Sequence, residues 1–565
     1  MIRFFLTCLV LGLILAACGS QIPATLTEEM NALPSGEAVL PSPSQSNAAV
    51  APTSTPQKWT PTQAALTPRP SITLHPSATE RVPSPTPSQS NAAITTTSTP
   101  QKLTPTQAAL TPRPSMTLHP SATERVTSPT PSPTSTEVAT PAYPIAGIQT
   151  SNLASQTRIN QIQDAGAYWT RYTVLQWDRI EPQKENPANY NWDAAQESGM
   201  RLAKEAGLNL IATVQFAPDW AQQIPGVACG PIAENALERF ALFMYEAVRR
   251  YSQPPYEVKY WEIGNEMDVL PSQVGKRSEF GCWGVQDDPY YGGEYYAEML
   301  KVVYPQIKAA DPDAQVLIGG LLLDCDPDNP PPNKDCSPSR FIEGILKNNG
   351  ANYFDGIGFH AYEYYQYSLG KYYNPNWAAT SEKSGPVLNI KAAYLKSQLA
   401  QYGYSNKYLM LTEFALICGS TGNETPCVTE DAQETKAIYA AQALVSARTL
   451  GIRSVIWFSL EGWRSSGLIT GSAGGQSVYQ SFQFAAAFLA DASFVKKIEQ
   501  HPGAFIYEFQ KAGKRYWIAW TGNPDGQTIT LTDIPATIYN MFGEVQAVNG
   551  TLGLTSAPIY IEWNE

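Results

Sequence analysis

The feature that most constrains the fold is an alternation of short apolar runs with longer amphipathic segments, beginning at Tyr143. The runs recur about every 25 to 55 residues, a spacing typical of βα units whose strands lie parallel. The eight predicted strands are Ile145 to Gln149, Tyr168 to Tyr172, Leu208 to Val214, Val258 to Ile263, Gln315 to Gly320, Gly356 to Phe359, Tyr408 to Thr412 and Ser454 to Phe458.

Eight such units fit an α/β fold in which the strands close into a (β/α)8 TIM barrel with enlarged loops, here residues 143–500. Segments with helical spacing lie between the strands, among them Ala195 to Ala206, Ala236 to Arg250, Glu294 to Ala309 and Thr435 to Leu450. An open doubly wound sheet is the structural alternative. No GxGxxG or GxxxxGK[ST] motif follows a strand, so the usual nucleotide signatures of that alternative are missing.

The pattern changes near the end of the chain, where residues 501–565 contain short strand-like runs such as AFIYEFQ, RYWIAW and PIYIEW. This segment predicts a small β domain. Because so short a segment makes a thin core, we expect it to pack on the barrel and to borrow an early strand from it if it needs one.

Residues 19–142 are dominated by Pro, Thr, Ser and Ala and contain a tandem duplication, in which Pro43 to Val82 recurs almost verbatim as Pro87 to Val126. Such a tract cannot bury enough apolar surface to offset the entropy lost on ordering. We therefore predict a disordered stalk ahead of the barrel rather than a structural repeat.

Residues 1–18 have the layout of a secretory signal, with Arg3 followed by an apolar run from Phe4 to Leu15 that is too short to span a bilayer. The segment LAACG resembles a bacterial lipobox in which Cys18 is lipidated. We expect a protein on the extracellular face of the cell envelope that contacts the membrane only through this lipid. The alternative is a cleavable signal and a freely secreted protein.

Besides Cys8 in the signal and Cys18, six cysteines remain, an even number typical of disulfides in an exported chain, and six allow 15 pairings. Pairing Cys325 with Cys336 and Cys418 with Cys427 would close short loops and leave Cys229 with Cys282. No CxxC pair is present, which argues against a zinc ribbon.

Charge and histidine content exclude several functions. The formal net charge of -12 argues against a nucleic-acid partner, which needs clustered Lys and Arg. Outside the stalk only His360 and His501 occur, so the barrel cannot hold a three-histidine metal site. Asp324, Asp326 and Asp328 could form a carboxylate metal site, but their Pro-rich loop is better explained as a disulfide-held turn. We expect no metal, no cofactor and a monomer.

Two predicted strands end in a carboxylate. Strand four ends in WEIGNE, with Glu266 last, and strand seven ends in LTEF, which contains Glu413. The carboxyl ends of barrel strands meet at one mouth, where active sites lie. Two carboxylates that flank a sugar ring are what glycoside cleavage requires. Strand alternation places Glu413 on one inward face with Leu409 and Leu411.

At these residues the chain resembles glycoside hydrolases of clan A, and family 39 most closely. The resemblance covers Tyr143 to Glu565 and implies that Glu266 is the acid/base, that Glu413 is the nucleophile and that Asn265 binds the sugar 2-hydroxyl. Hydrolysis with retention of configuration at β-linked sugars is implied as well.

The resemblance extends to four side chains around the pair. It implies that Arg171 on strand two lies beside the nucleophile, that His360 and Tyr362 after strand six lie near the same carboxylate, and that Trp457 forms the floor beneath the sugar. Arg171 could instead pair with Glu262, which alternation places deeper in the barrel. The chain departs from the family at Gly264, where many relatives carry a bulky residue.

The sequence therefore predicts a retaining glycoside hydrolase that acts on extracellular oligo- or polysaccharides, and we favour an endo-acting groove. The alternatives are a non-catalytic carbohydrate-binding surface lipoprotein and a structural surface protein. Several tryptophans near strand ends are candidates for the cleft: Trp177, Trp220, Trp261, Trp283 and Trp463.

Overall fold

The computed structural model describes residues 143–419, 425–469, 475–547 and 551–564. The predicted signal with Cys18 and the predicted stalk over residues 19–142 lie outside the described residues. Within the described ranges, no helix combines the length and the apolarity that a membrane crossing requires.

The first sheet contains the barrel. Its strands are β1 (Ala146–Ile148), β2 (Trp169–Gln176), β3 (Asn209–Gln215), β4 (Tyr260–Asn265), β5 (Gln315–Leu321), β6 (Gly356–Tyr365), β7 (Tyr372–Asn374), β8 (Ala379–Thr380), β9 (Tyr408–Ile417) and β10 (Val455–Trp457). The order is β5-β4-β3-β2-β1-β10-β9-β6, and β6 pairs with β5 to close the ring. These eight strands are parallel, and β7 and β8 add antiparallel to the end of β6. The predicted TIM barrel is confirmed.

Nine described α-helices accompany the strands: α1 (Gln156–Asp164), α2 (Trp177–Ile180), α3 (Glu197–Glu205), α4 (Leu237–Tyr251), α5 (Gly293–Ala310), α6 (Phe341–Lys347), α7 (Leu388–Gln401), α8 (Glu430–Thr449) and α9 (Gly475–Leu489). The side chain of Thr429 caps α8 by accepting a hydrogen bond from the Ala432 N–H. Nearly every position of this alanine-rich helix is buried, which is why its sequence shows so little amphipathic pattern.

The barrel interior is layered. Its lower layer is apolar and consists of Trp169, Ile211, Leu317, Met410 and Ile456. The next inward positions on β2, β3, β4 and β9 are Arg171, Thr213, Glu262 and Thr412, all of them buried. A polar layer therefore lies between the packed floor of the barrel and its mouth.

The C-terminal region forms a second antiparallel unit. Its strands are β11 (Ser493–Lys497), β12 (Ala504–Lys511), β13 (Lys514–Thr521), β14 (Gln527–Thr530), β15 (Pro535–Tyr539), β16 (Val545–Gln546), β17 (Thr551–Leu554) and β18 (Ile559–Trp563). Six strands have the order β11-β12-β13-β18-β15-β16, and β14 pairs with β17. Phe484 and Phe488 of α9 pack against Tyr560, so the unit rests on the barrel helices as expected.

The boundary and composition of this unit differ from the prediction. The sheet begins at Ser493, ahead of the predicted start at residue 501, because β11 pairs with β12 directly after α9. Within the described ranges, all of its strands follow the barrel, so it borrows no early strand.

Three disulfides join Cys229 to Cys282, Cys325 to Cys336 and Cys418 to Cys427, with Cα atoms 5.3, 5.2 and 5.9 Å apart. The predicted pairing is therefore confirmed. In the loop closed by Cys325 and Cys336, Asp324 pairs with Lys334 at 3.1 Å and Asp326 accepts backbone N–H groups. These contacts account for the carboxylates of Asp324 and Asp326 without a metal ion.

Candidate active site

Glu266 follows the last residue of β4 and enters the mouth of the barrel through an unusual backbone. Gly264 has a φ of 86° and Glu266 a φ of 45°, and the Glu266 N–H donates to the Gly320 carbonyl at 2.8 Å. The turn takes the carboxylate away from the strand face of Glu262 and buries it to 2% exposure.

Gly264 is required at this turn for two reasons. A side chain is strained at its φ, and an added Cβ would lie 2.2 Å from Sδ of Met267, which fills the space behind Asn265. We expect Gly264→Ala to lower the free energy of unfolding by about 2 to 4 kcal/mol, combining left-handed strain with overpacking. Chemical denaturation measures this loss.

Gly403→Ala is the matched control, since Gly403 has a φ of 83° and nothing within 4 Å of an added Cβ. It should lose only the strain, about 1 kcal/mol. Equal losses in the two variants would contradict a packing role for Gly264.

Glu413 reaches the mouth because β9 contains an extra residue. Phe359 pairs with Leu411, but the next residue of β6, His360, pairs with Glu413, so Thr412 is inserted between them. The predicted face of Leu409 and Leu411 is wrong, since both belong to the core outside the barrel, whereas Met410 packs inside. The β-bulge reverses the alternation and turns Glu413 inward.

Arg171 holds the nucleophile candidate. Its Nη1 donates to Glu413, its Nε donates to Glu262 at 2.6 Å, and its Nη2 donates to Oδ1 of Asn265 at 2.5 Å. Burial alone would lower the pKa of the Arg171 guanidinium, but the charges of Glu262 and Glu413 raise it above its usual value. Arg171 therefore pairs with both of its predicted partners, Glu413 and Glu262, and its guanidinium stays positively charged.

Tyr362 lies where it was predicted, and its hydroxyl donates to Oε2 of Glu413. His360 also lies near Glu413 as predicted, but its shorter contact is with Glu266. Its Nδ1 lies 2.7 Å from Oε1 of Glu266 and 3.5 Å from Oε2 of Glu413, so it contacts the acid/base candidate first. Burial lowers the pKa of His360 to about 4, although the Glu413 charge opposes this, so the ring is neutral at neutral pH.

The environment of Glu266 favours its protonated form. Burial raises the pKa of Glu266 to about 7, while the positive charges of Arg171 and Lys391 lower it and Asp324 and Glu262 raise it further. Oε2 of Glu266 is buried and has no hydrogen-bond partner among the described residues. Glu413, by contrast, contacts the cation and the hydroxyl described above. The two carboxylates therefore have different surroundings, an unpartnered oxygen on Glu266 and two donors on Glu413.

A buried lysine that the sequence did not single out supports Glu266 from behind. Lys391 of α7 is 3% exposed, and its Nζ donates to the carbonyls of Leu322 at 2.7 Å and His360 at 2.8 Å. Asp268, two residues beyond Glu266, accepts the N–H groups of Leu322 and Leu323. Together they fasten the ends of β4, β5 and β6.

We expect Lys391→Met to move the basic limb of the pH profile of kcat/KM to higher pH. A general acid loses activity as pH rises through its pKa, and removing a cation that lowers the pKa of Glu266 raises that pKa. Lys396→Met on the same helix is the control, because Lys396 bonds the Leu450 carbonyl instead. A basic limb that stays in place, or moves to lower pH, would disprove the electrostatic role of Lys391.

The two carboxylates are close together. One oxygen of each, together with a ring nitrogen of His360, lies within 4.8 Å of the others. Glu266, His360 and Glu413 are thus close enough, among the described residues, to be considered as ligands of a metal ion. Arg171 already places a positive charge on Glu413, and Tyr362 and His360 already bond the two carboxylates. The donor set therefore fits a hydrogen-bonded acid pair better than a cation site.

Trp457 does not form the floor of the cleft, and that prediction is wrong. It is fully buried, packs on Phe414 and Tyr439, and donates its indole N–H to the Ser466 carbonyl. The reason is strand alternation, since the preceding residue, Ile456, already points into the barrel.

The aromatic residues that do line the mouth on this side are Phe458 and Trp463. Their ring centroids each lie 6.1 Å from that of Tyr362, and Trp463 is 39% exposed. Phe458 could have been found by placing Ile456 inward. Of the other tryptophan candidates, Trp177, Trp261 and Trp283 are buried and Trp220 is partly buried.

Asn265 is engaged within the protein. Its Oδ1 accepts from Arg171, and its Nδ2 donates to the Glu279 carbonyl at 2.9 Å, which leaves the second N–H of the carboxamide for a ligand. Its predicted role toward a sugar hydroxyl stays a prediction.

No family model matches this sequence, and no curated protein matches it. Among solved structures, the chain is similar to a family 39 glycoside hydrolase from the gut symbiont Bacteroides cellulosilyticus WH2. The TM-score is 0.54 at 18% identity, over 75% of this chain and 81% of that chain. The two chains share one fold. The resemblance to clan A glycoside hydrolases is therefore confirmed at the level of the fold.

A conserved exported protein from Bacteroides fragilis is similar as well, with a TM-score of 0.52 and 12% identity over 76% of this chain and 99% of that chain. At these identities the likeness concerns architecture alone, so the chemistry of this chain has to be argued from its own side chains.

Proposed function

We propose that the protein is a retaining glycoside hydrolase that cleaves β-linked O-glycosidic bonds of extracellular oligo- or polysaccharides. The observation that carries the proposal is the pair Glu266 and Glu413, which bring one oxygen of each carboxylate within 4.8 Å of the other. Retaining enzymes hold their two carboxyl groups about 5 to 5.5 Å apart, whereas inverting enzymes need about 6.5 to 9.5 Å to admit a water.

In the first step Glu266 donates its proton to the glycosidic oxygen while Glu413 attacks the anomeric carbon. The bond from that carbon to the leaving oxygen breaks, the alcohol departs, and an ester joins the sugar to Glu413. In the second step Glu266 removes a proton from water as the water oxygen attacks the same carbon. The ester bond breaks, Glu413 returns as a carboxylate, and the sugar leaves with its configuration retained.

The neighbours of the pair fit these roles. Arg171 and Tyr362 donate to the two oxygens of Glu413 and orient the carboxylate for attack. Glu266 starts protonated because it is buried, and the loss of negative charge when Glu413 becomes an ester makes its proton easier to lose. One carboxylate thus acts first as an acid and then as a base.

A panel of aryl β-glycosides and soluble polysaccharides tests the proposal, with the anomer of the first product followed by NMR. Hydrolysis that releases the β-anomer first is the expected result. Release of the α-anomer would exclude double displacement. Binding without turnover of any substrate would favour the non-catalytic carbohydrate-binding protein.

We also propose that Cys18 anchors the protein to the outer face of a membrane through a lipid. The lipobox-like segment LAACG supports this placement. Cys18→Ser should move the protein from the membrane fraction to the soluble fraction when cells are fractionated and immunoblotted. Cys8→Ser, within the signal itself, should leave it on the membrane. A Cys18→Ser protein that stays with the membrane would exclude the lipid anchor.

A further inference from the structure

Two strands continue beyond the catalytic pair and extend one side of the cleft. β6 and β9 remain paired from His360 and Glu413 to Tyr364 and Ile417, and β7 pairs with the far edge of β6. On β6, alternation places His360, Tyr362 and Tyr364 on one face. The face that carries catalytic contacts therefore continues outward.

Aromatic rings cover this face, and we call them the aromatic wall: Tyr362, Tyr364, Tyr373, Phe458 and Trp463. The Tyr364 and Tyr373 rings lie 6.0 Å apart, and Phe458 and Trp463 flank Tyr362. Trp463 is 39% exposed and the other four side chains are partly exposed. Tyr362 and Tyr364 pack against the core on one side and leave the other side accessible, so the five rings form a patch of the kind that marks a binding surface.

Arg464 joins the two halves of the wall. Its guanidinium lies 5.1 Å from the Trp463 ring and 5.7 Å from the Tyr364 ring, and its Nε donates to the Cys418 carbonyl at 3.0 Å. Its Nη groups have no partner among the described residues. A guanidinium held in this way presents donors to the oxygens of a ligand that crosses the wall.

The wall ends at an open cavity of about 430 Å³ lined by tyrosines and polar groups. Tyr373 belongs to both the wall and the cavity, Tyr367 is 55% exposed beside it, and Lys371 pairs with Glu382 at its edge. Flat apolar faces with hydrogen-bonding groups around them suit sugar rings, which are apolar on their C–H faces and polar at their edges.

We propose that the aromatic wall binds the second and further units of a linear oligosaccharide chain whose reacting unit lies between Glu266 and Glu413. The inference rests on the proposed function and narrows its substrate to chains of several sugars. Continuity supports this occupant, because Tyr362 is both a ring of the wall and the donor to Glu413. A chain that extends from the reacting unit along β6 passes over these rings.

The first test uses the full chain and linear oligosaccharides of one to six units of the sugar that the aryl panel selects. We expect kcat/KM to rise at least about tenfold from the shortest to the longer substrates, the equivalent of one or two good aromatic contacts. Tyr364→Ala and Tyr373→Ala should reduce this ratio of long to short substrates. Tyr168→Ala is the matched control, because Tyr168 is 44% exposed just ahead of β2 and far along the chain from the wall.

A second test does not depend on turnover. In affinity electrophoresis through gels that contain xylan, mixed-linkage β-glucan or galactomannan, the wild type should be retarded by at least one polymer, and Tyr367→Ala with Tyr373→Ala should not. The inference would be overturned if the double variant were still retarded, or if the wild type were retarded by none of the three polymers. It would also be overturned if kcat/KM did not change with the length of the oligosaccharide. Loss of a dimer on mutation would overturn it as well, since a second copy would then occupy the wall. If the protein were retarded by a polymer but hydrolysed no substrate, the proposed catalysis would be wrong and the proposed binding by the aromatic wall would stand.

Discussion

Glu413→Gln should abolish turnover, with kcat reduced by about 10⁴-fold or more, the size seen when an essential member of a catalytic unit is removed. The amide has the shape of the carboxylate but cannot form the glycosyl ester. Because Arg171 still pairs with Glu262 at 2.6 Å, the polar layer keeps one of its ion pairs and the fold should persist. Initial rates on the best aryl glycoside measure the effect, and circular dichroism checks the fold.

Glu181→Gln is the control for loss of a buried, ion-paired carboxylate. Glu181 is fully buried and pairs with Arg239, but it lies among α2 and α4 rather than at the mouth. Its replacement should reduce stability and leave kcat close to wild type. If the Glu413→Gln enzyme kept more than about a hundredth of wild-type kcat, a value far above the loss expected for a nucleophile, Glu413 would not be one.

Glu266→Gln should lose about 10² to 10⁴-fold in kcat/KM on substrates with poor leaving groups, the range for a general acid. With a dinitrophenyl leaving group, which departs without a proton, the first step should remain close to wild type. The intermediate should then accumulate, because no base activates water for the second step. Pre-steady-state kinetics would show a burst of dinitrophenol followed by slow turnover.

Azide provides the decisive control for Glu266, since it attacks the intermediate without needing a base. It should restore turnover of the Glu266→Gln enzyme and yield the β-glycosyl azide, which NMR identifies. A loss of equal size on all leaving groups, with no response to azide, would remove Glu266 from the acid/base role.

The barrel could be predicted from the sequence because every parallel strand is an apolar run, and all eight runs found there are strands in the structure. The two candidate carboxylates, Glu266 and Glu413, followed from their position at strand ends. The orientation of individual side chains did not follow. Glu413 was expected inward with Leu409 and Leu411, but those residues point outward and the insertion of Thr412 turns Glu413 in.

The orientation of Trp457 and the role of Lys391 could not be predicted from the pattern of the strands. Trp457 was placed at the cleft because alternation fixes relative faces but not which face is inside, and only the packing of Ile456 decides it. A lone lysine on a helix is usually solvated, so nothing in the local pattern around Lys391 indicates that its amine reaches the ends of β5 and β6. Both depend on contacts between elements far apart in the chain.

The inserted residue in β9 separates two demands on one strand. Before Thr412, the size of the inward side chain matters, since Met410 has to fill the barrel beside Ile456 and Leu317. After Thr412, the charge of the inward side chain matters, since Glu413 faces the mouth. Because the change of phase lies between these segments, Thr412 faces the polar layer and Glu413 still faces the mouth, so substitutions in the hydrophobic floor leave the direction of the carboxylate unchanged.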